Sequence, residues 1–131
     1  MTHSIAEAAR RSGLSIDTLR YYERVELLDP PQRDAAGRRA YTDDDLAWLG
    51  FLTKLRTTGM PIKRMREYAS LRHFGAASAG RRKRILMEQR QAVAQKISEL
   101  QSCMAVLDYK IENYECLEQG MPVSQPQEVS A

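Results

Sequence analysis

The sequence predicts a mainly α-helical chain, in which short helices and one small β-hairpin precede a single long helix. Two short helical segments, each preceded by a serine that can cap it, are separated by Gly13. A polar stretch with Pro30, Pro31 and Gly37 then interrupts the helical pattern and is typical of a turn between short strands. From Arg81 to Gln119 there is neither proline nor glycine, and apolar residues recur every three or four positions. This periodicity predicts one continuous amphipathic helix.

The first two helices are defined by the residues at their ends. Ser4 can accept a hydrogen bond at the start of the first helix, with Glu7 three residues on as in a capping box. Gly13 ends this helix, because glycine adopts the left-handed conformation of a C-terminal turn at little cost. Ser15 caps a second helix that runs through about Val25. Two short helices joined by such a turn predict a helix-turn-helix, whose second helix normally enters the major groove of DNA.

The next segment predicts a small two-stranded wing. Pro30 and Pro31 cannot continue a helix, and Asp34 to Gly37 is typical of a hairpin turn in which glycine takes a positive φ. The flanking residues of the segment 31–41 are too few and too polar to form an independent sheet. A hairpin attached to the helices is therefore the better interpretation.

Two further helices complete the N-terminal region. Thr42 caps the third helix, and its acidic first turn suits the positive end of the helix dipole. The core-facing leucines of this helix recur at spacing three and are Leu46, Leu49, Leu52 and Leu55. The segment 57–61 breaks the helix, and Pro61 suits the start of a fourth helix with Ile62 and Met65 on its buried face.

The long helix carries the seam of a coiled coil. From Val93 onward its apolar residues are spaced alternately four and three apart, which is the a/d pattern, and Arg90 interrupts the seam toward the N-terminal region. The residues predicted at this interface are Leu86, Val93, Ile97, Leu100, Met104, Leu107, Ile111 and Tyr114. Part of the stripe could instead pack on the N-terminal region, but a seam this regular favours a partner helix.

The distribution of charge indicates a polyanionic partner for the N-terminal region. Residues 1–84 carry 17 Lys and Arg against 10 Asp and Glu, a net charge of +7, whereas residues 85–131 carry 3 against 7, a net charge of −4. A merely solvated surface explains the total of +3 but not this asymmetry. A basic region with arginine and tyrosine on one helix is suited to grip nucleic acid.

Other classes of function lack a motif. The chain has no apolar run long enough to span a membrane and no secretory signal, so we expect a cytoplasmic protein. Cys103 and Cys116 lie 13 residues apart, so one helix cannot direct both at one ion, and His3 and His73 are isolated. We therefore expect no metal and no cofactor. We also expect no catalytic residue, because the chain has neither a glycine-rich phosphate loop nor a Ser/His/Asp set.

Six short motifs stand in a specific order between Ser4 and Ile62, within a region of similarity that covers about residues 3–120. They are Ser4-Ile5 with Glu7-Ala8-Ala9, Gly13-Leu14-Ser15, Thr18-Leu19-Arg20-Tyr21-Tyr22-Glu23, Leu27-Leu28 with Pro30, Gly37-Arg38-Arg39-Ala40-Tyr41-Thr42 and Thr58-Gly59-Met60-Pro61-Ile62. In this order and spacing they resemble the MerR family of bacterial transcriptional regulators. The resemblance implies a winged helix-turn-helix with wings at 31–41 and 57–61. It also implies a homodimer joined by an antiparallel coiled coil of the long helices.

The resemblance further implies DNA contacts and a mechanism. The DNA-binding residues that it implies are Ser15, Thr18, Arg20, Tyr21, Tyr22, Arg38, Arg39, Tyr41, Lys63 and Arg64. Tyr22 could equally be a core ring, because aromatic side chains so often fill cores. The expected partner is double-stranded promoter DNA with a pseudo-palindromic operator, within the bacterial nucleoid. The implied action is to bend and untwist the promoter spacer, so that RNA polymerase can use the promoter.

The expected organisation has four parts. These are a DNA-binding domain over 1–74, a linker over 75–80, the dimerisation helix over 81–119 and a disordered tail over 120–131. An unidentified small-molecule effector would bind near Trp48, Tyr68 and Phe74, where aromatic residues are dense, although the same rings could simply be core.

Two rival interpretations share the basic N-terminal region. One is a non-regulatory architectural or excisionase-like DNA-binding protein, but such proteins commonly lack a long dimerisation helix. The other is a coiled-coil adaptor with an incidental basic region. Only DNA binding predicts affinity for a duplex that falls steeply as salt rises.

Overall fold

A computed structural model describes residues 1–122, and it is mainly α-helical with a small sheet, as the sequence predicts. In chain order the elements are β1 (Thr2–His3), α1 (Ile5–Ser12), α2 (Ile16–Arg24), β2 (Gln32–Arg33), β3 (Arg39–Thr42), α3 (Asp43–Thr57), α4 (Ile62–Leu71), a 3-10 helix (Arg72–Ser78) and α5 (Ala79–Glu118). Of the tail predicted to be disordered, residues 123–131 lie outside the described residues.

The chain divides into two compact units. The first, called the head below, comprises Met1–Gln89, and the second begins at Arg90. The core of the head is built mainly from α2, α3 and α4, and its largest fully buried side chains are Tyr22, Tyr41, Leu19, Leu27, Leu28, Leu49, Leu52 and Met65. Trp48 joins this core and donates its indole N–H to the carbonyl oxygen of Leu27 over 2.8 Å, which fixes the chain just after α2.

The predicted caps Ser4, Ser15 and Thr42 are confirmed, but the Glu7 carboxylate accepts from Arg10 and Arg11 and does not complete a capping box at α1. The Ser4 hydroxyl accepts the backbone N–H of Glu7 over 3.1 Å, and Gly13 ends α1 with φ 74°. The Ser15 hydroxyl accepts the N–H of Thr18 over 3.0 Å at the start of α2. At α3, the side chain and backbone of Thr42 exchange hydrogen bonds with Asp45, which completes a capping box. These caps fix where α2 and α3 begin.

The sheet has one strand more than the sequence predicts. The expected hairpin pairs β2 with β3, and its turn is closed by Gly37, which donates its N–H to the Asp34 carbonyl over 2.9 Å. On the other edge of β3, Thr2 and His3 pair with Thr42 and Tyr41, giving the antiparallel order β1-β3-β2. A strand of two residues carries no periodicity that a sequence pattern can reveal.

The segment predicted as a linker is helical. The 3-10 helix changes direction at Gly75, whose φ of 53° and ψ of −134° depart from helical values. Arg82 donates to the Gly75 carbonyl over 2.8 Å, so the bend is tied to the next helix. α5 consequently starts at Ala79, two residues earlier than predicted, and contains Gly80.

The first turns of α5 belong to the head. Ile85 is buried in the core, although the sequence pattern gave it no role. Leu86, which the sequence assigns to the dimer seam, instead packs against the same core. The head therefore extends about fifteen residues beyond the predicted boundary at 74, to Gln89.

The second unit, within the described residues, consists of the remaining turns of α5. Val93 is half-buried. The other predicted seam residues are between 50% and 61% exposed and are Ile97, Leu100, Met104, Leu107, Ile111 and Tyr114. Cys103 and Cys116 are free thiols. Among the described helices, none combines the length and the apolarity that a bilayer crossing requires.

Candidate nucleic-acid interface

The exposed face of α2 carries two arginines and a tyrosine. Arg20 has 54% of its side chain exposed and lies 3.9 Å from the Asp17 carboxylate, a loose contact. One turn later, the Arg24 guanidinium lies 5.6 Å from the centre of the Tyr21 ring. Arg24 was not predicted as a site residue, although its spacing of four from Arg20 places both on one helix face. This face presents N–H and O–H groups that can donate hydrogen bonds to base edges and phosphates.

Two clefts border this face. The α2–α4 cleft has a volume of about 950 Å³, and its basic lining residues are Arg20, Arg24, Arg39, Lys63 and Arg66. The wing cleft, of about 610 Å³, lies between the hairpin and the start of α1, and its basic lining residues are Arg20, Arg33, Arg38 and Arg39. Arg20 and Arg39 line both clefts, so they stand on the ridge between them. The α2–α4 cleft also contains four carboxylates, so it is not uniformly basic.

The hairpin wing holds its two predicted arginines differently. Arg38 is highly exposed and lies 3.5 Å from Asp34 across the turn. Arg39 is half-buried, and its Nε donates to the Glu23 carboxylate on α2 over 2.7 Å. That hydrogen bond is the main reason that the pKa of the Arg39 guanidinium is raised, so Arg39 stays charged. Arg38 is thus an exposed cation beside the wing turn, whereas Arg39 is bonded to α2.

At the start of α4, the two predicted cations have different surroundings. Lys63 is exposed and lines the α2–α4 cleft. Arg64 donates to Glu67 over 2.9 Å and also bonds to Glu88 of α5. Glu67 in turn accepts from Arg81 over 3.2 Å. Because two carboxylates already engage Arg64, Lys63 is the better candidate for a phosphate, and Arg64 joins α4 to α5.

Two tyrosines of the predicted DNA-binding set lie in the core. Tyr22 and Tyr41 are both 0% exposed, so neither ring can reach a duplex in this structure. The Tyr22 hydroxyl accepts a hydrogen bond from Arg56 over 3.3 Å, which agrees with the core alternative considered from the sequence. The Tyr41 hydroxyl is buried without a hydrogen-bond partner among the described residues. We therefore remove both from the set of direct DNA contacts.

The aromatic residues expected at an effector pocket fill space instead of lining it. Trp48 and Tyr68 are buried and stacked, with their ring centres 6.0 Å apart, and the Phe51 ring leans on both. The Arg72 guanidinium covers the other side, 3.5 Å from the Trp48 ring centre. Phe74 is 68% exposed and takes no part in this stack. Trp48 and Tyr68 therefore belong to the core of the head, which agrees with the core alternative, and an effector site near these residues stays a prediction.

The fold and this surface define a class of protein: a winged helix-turn-helix whose second helix, α2, presents arginines on its exposed face, and which binds duplex DNA. Residues 3–71 match the family model described as MerR HTH family regulatory protein, and residues 46–109 match that described as MerR, DNA binding. The chain therefore belongs to the MerR family of helix-turn-helix transcriptional regulators, as the sequence motifs indicated.

Relatives and solved structures agree with this assignment. An uncharacterised HTH-type transcriptional regulator of Haemophilus influenzae is 36% identical over 88% of this chain and 85% of its own length. The HTH-type transcriptional regulator AdhR of Bacillus subtilis is 40% identical over 67% of this chain and 63% of its own length. The crystal structure of HiNmlR, described as a MerR family regulator lacking the sensor domain and bound to promoter DNA, superposes with a TM-score of 0.81. It is 34% identical and covers 92% of this chain and 97% of that one.

Proposed function

We propose that the protein binds a pseudo-palindromic promoter operator as a homodimer, with α2 of each head in the major groove. The observation that carries this proposal is the position of Arg20 and Arg39, which line both the α2–α4 cleft and the wing cleft and stand between them. Ser15, Thr18, Arg20 and Tyr21 then face the groove, with Arg24 added. Arg38 and Arg39 meet the backbone on one side and Lys63 on the other. This role is non-enzymatic and is exercised at DNA in the bacterial cytoplasm.

The dimer is proposed from the exposed apolar stripe of α5. Six apolar side chains between Ile97 and Tyr114 are at least half exposed, and they repeat with a/d spacing. A stripe of this length in water favours association, because pairing with a second copy removes it from solvent. Antiparallel pairing of α5, as the family resemblance implies, would join two heads in one dimer.

The proposed mechanism is distortion of the promoter spacer. In the family that this chain resembles, the two heads of a dimer bind two half-sites, and DNA whose half-sites do not match them must bend or untwist at a cost of about 1–6 kcal/mol. The resemblance implies an operator between the −35 and −10 elements in a spacer that is too long for RNA polymerase. All relatives named above are regulators, and none of them supports the architectural or excisionase-like alternative.

The test shortens the spacer of the regulated promoter by two base pairs in a transcription reaction with purified RNA polymerase. We expect the shortened promoter to be active with or without the protein, since its elements are already aligned. A change of two bases outside the operator that preserves spacer length is the matched control and should leave protein dependence intact. A shortened promoter that still requires the protein, or an operator outside the spacer, would contradict the distortion mechanism.

A further inference from the structure

Glu23 connects the recognition helix to the hairpin wing. Its carboxylate accepts the Nε–H of Arg39 over 2.7 Å, and the two side chains are only 18% and 26% exposed. Partial burial reduces the screening that makes ion pairs on open surfaces weak. Among the ion pairs within residues 1–122 this one links α2 to β3, so it joins the two elements that are expected to contact the same stretch of DNA.

The pair leaves the outer part of the Arg39 guanidinium available. A guanidinium has five N–H donors, and Glu23 uses the one on Nε. Within the described residues, neither terminal nitrogen of Arg39 has a hydrogen-bond acceptor. Those two nitrogens form the fork that binds a phosphate through two parallel hydrogen bonds. Arg39 can therefore keep its bond to Glu23 while it meets a phosphate.

A carboxylate at this position opposes DNA binding on charge alone. Glu23 lines the α2–α4 cleft and brings a negative charge toward a polyanion. A long arginine side chain, however, loses considerable rotamer freedom when a ligand immobilises it, and a side chain that is already held loses less. The two effects predict opposite signs for the removal of Glu23, so the sign of the change in affinity reveals which effect dominates.

We propose that Glu23 is a positioning residue, which holds Arg39 through Nε so that its terminal nitrogens meet the DNA backbone in register with α2. This inference rests on the proposed function, because it assigns Arg39 to the DNA interface. Glu23 itself makes no contact with DNA in this arrangement. It contributes by fixing the position of the Arg39 side chain, and by reducing the conformational entropy that Arg39 loses when it binds a phosphate.

The experiment is a double-mutant cycle on DNA binding. The probe is the duplex that the wild-type protein selects from a random-sequence library, with a scrambled duplex of equal length beside it. Glu23→Ala should weaken binding to the selected duplex about tenfold, although it removes a negative charge. Glu23→Gln keeps an oxygen that can accept the Nε–H, and it should recover most of that loss. In an Arg39→Ala background, Glu23→Ala should cause no further loss and a slight gain.

Glu26→Gln is the matched control, because Glu26 lines the same cleft but forms no ion pair with Arg39. It should leave affinity within about twofold of wild type, since a solvent-exposed charge is largely screened. Thermal unfolding of every variant, measured in parallel, detects any effect that comes from loss of the fold.

Tighter binding by Glu23→Ala would overturn the inference, and so would an equal loss with and without Arg39. If Glu23→Ala and Glu23→Gln weaken binding equally, Glu23 does not act by holding the Arg39 side chain in place, and the inference again fails. If Arg39→Ala leaves binding to both duplexes unchanged, the proposed interface itself is wrong. Failure of the inference is thus distinguishable from failure of the proposed function.

Discussion

Gln89 donates its side-chain amide to both the carbonyl oxygen and the hydroxyl of Thr58, over 3.1 and 3.0 Å. Thr58 caps the C-terminus of α3, where helix carbonyls otherwise lack partners, and it lies in the turn 57–61, which the family resemblance implies is the second wing. Glu88 precedes Gln89 on α5, and its hydrogen bond with Arg64 joins α5 to the start of α4. The second wing is therefore held from one side by the early turns of α5.

The double substitution Leu100→Glu with Leu107→Glu should convert the dimer into monomers and abolish tight operator binding. Both leucines belong to the exposed apolar stripe, and charges at these positions would be buried against the partner helix at high cost. Sedimentation measures the change in mass, and a gel-shift titration measures the loss of affinity.

The matched control is Gln95→Glu with Ser102→Glu, which adds the same charges at the same spacing on the opposite face of the helix. We expect this control to remain dimeric. A Leu100→Glu, Leu107→Glu protein that sediments as a dimer would remove the basis for the coiled-coil interface.

Arg20→Ala and Arg39→Ala should affect DNA binding in different ways. Arg20 lies on the exposed face of α2, so its loss should cost about 1–3 kcal/mol on the operator and relax base preference. Arg39 lies in the wing, so its loss should weaken specific and scrambled DNA similarly and lower the salt slope by about one. Titrations of both duplexes across salt separate the two effects.

Lys110→Ala, in the second unit, is the control for loss of a positive charge outside the proposed DNA interface. It should change neither the base preference nor the salt slope, because salt screens a charge that lies far from the DNA. Equal losses of discrimination for Arg20→Ala and Arg39→Ala would refute the proposed division of roles.

The starts of the first three helices were predictable, because caps are local. Ser4, Gly13 and Ser15 each act on a neighbour within four residues, so the pattern that predicts them lies in the adjacent sequence. The wing turn at Asp34 and the apolar stripe of α5 were predictable for the same reason. For the caps and the wing turn, a short stretch of sequence contains both the donor and the acceptor of the hydrogen bond. For α5, a single continuous stretch contains the whole apolar repeat.

The burial and the ion pairing of individual side chains depend on residues far away in the sequence, so they could not be predicted in the same way. Tyr21 and Tyr22 are neighbours in sequence, yet Tyr21 is exposed and Tyr22 is fully buried, with its hydroxyl bonded to Arg56, which lies 34 residues away. Arg64 satisfies the pattern of a DNA contact, but a carboxylate 24 residues away engages it. Pairs so far apart in sequence leave no local signal, and Glu23 with Arg39 is another example.

Tyr41→Phe should stabilise the protein by about 1 kcal/mol or more and leave DNA affinity unchanged. The Tyr41 hydroxyl is buried without a partner among the described residues, and such a group carries a desolvation cost of about 1–3 kcal/mol that phenylalanine avoids. Denaturant unfolding measures the change in free energy.

Tyr22→Phe is the comparison, since Tyr22 is equally buried but its hydroxyl accepts from Arg56. It should be neutral or destabilising by about 0.5–1.5 kcal/mol. If both variants shift stability by the same amount and sign, the unpaired hydroxyl is not the cause.

Glu26→Gly should stabilise the head, and Gly13→Ala should destabilise it. Glu26 is the one non-glycine residue with a positive φ, 64°, among residues 1–122, whereas Gly13 adopts 74°. A left-handed conformation costs a residue with a Cβ about 1–2 kcal/mol, and the extra freedom of glycine in the unfolded chain offsets about half of this. We expect opposite shifts of about 0.5–1 kcal/mol in unfolding free energy; shifts of the same sign would contradict the conformational explanation.

Asp34→Asn should reduce the loss of stability in acid. The hydrogen bond from the Arg38 backbone N–H, followed by that from Ala36, lowers the pKa of Asp34 below its ordinary value of 3.8. Because the folded pKa is the lower one, this stabilisation is fully present above the unfolded pKa and is lost as pH falls through the folded pKa. Unfolding curves recorded through this range should show a shallower acid slope for the variant, and identical slopes would contradict the assignment.

The burial of Ile85 has a consequence for how this protein can be recombined with its relatives. A chain cut at residue 74 would lose Ile85 and Leu86 from the core of the head, and it would also lose the carboxamide of Gln89 that binds Thr58. The DNA-binding head therefore cannot be exchanged between relatives as a unit that ends at residue 74. A chimera that joins this head to the long helix of another family member should keep its own sequence through Gln89. Crossing over earlier should yield a protein that dimerises but no longer recognises its operator.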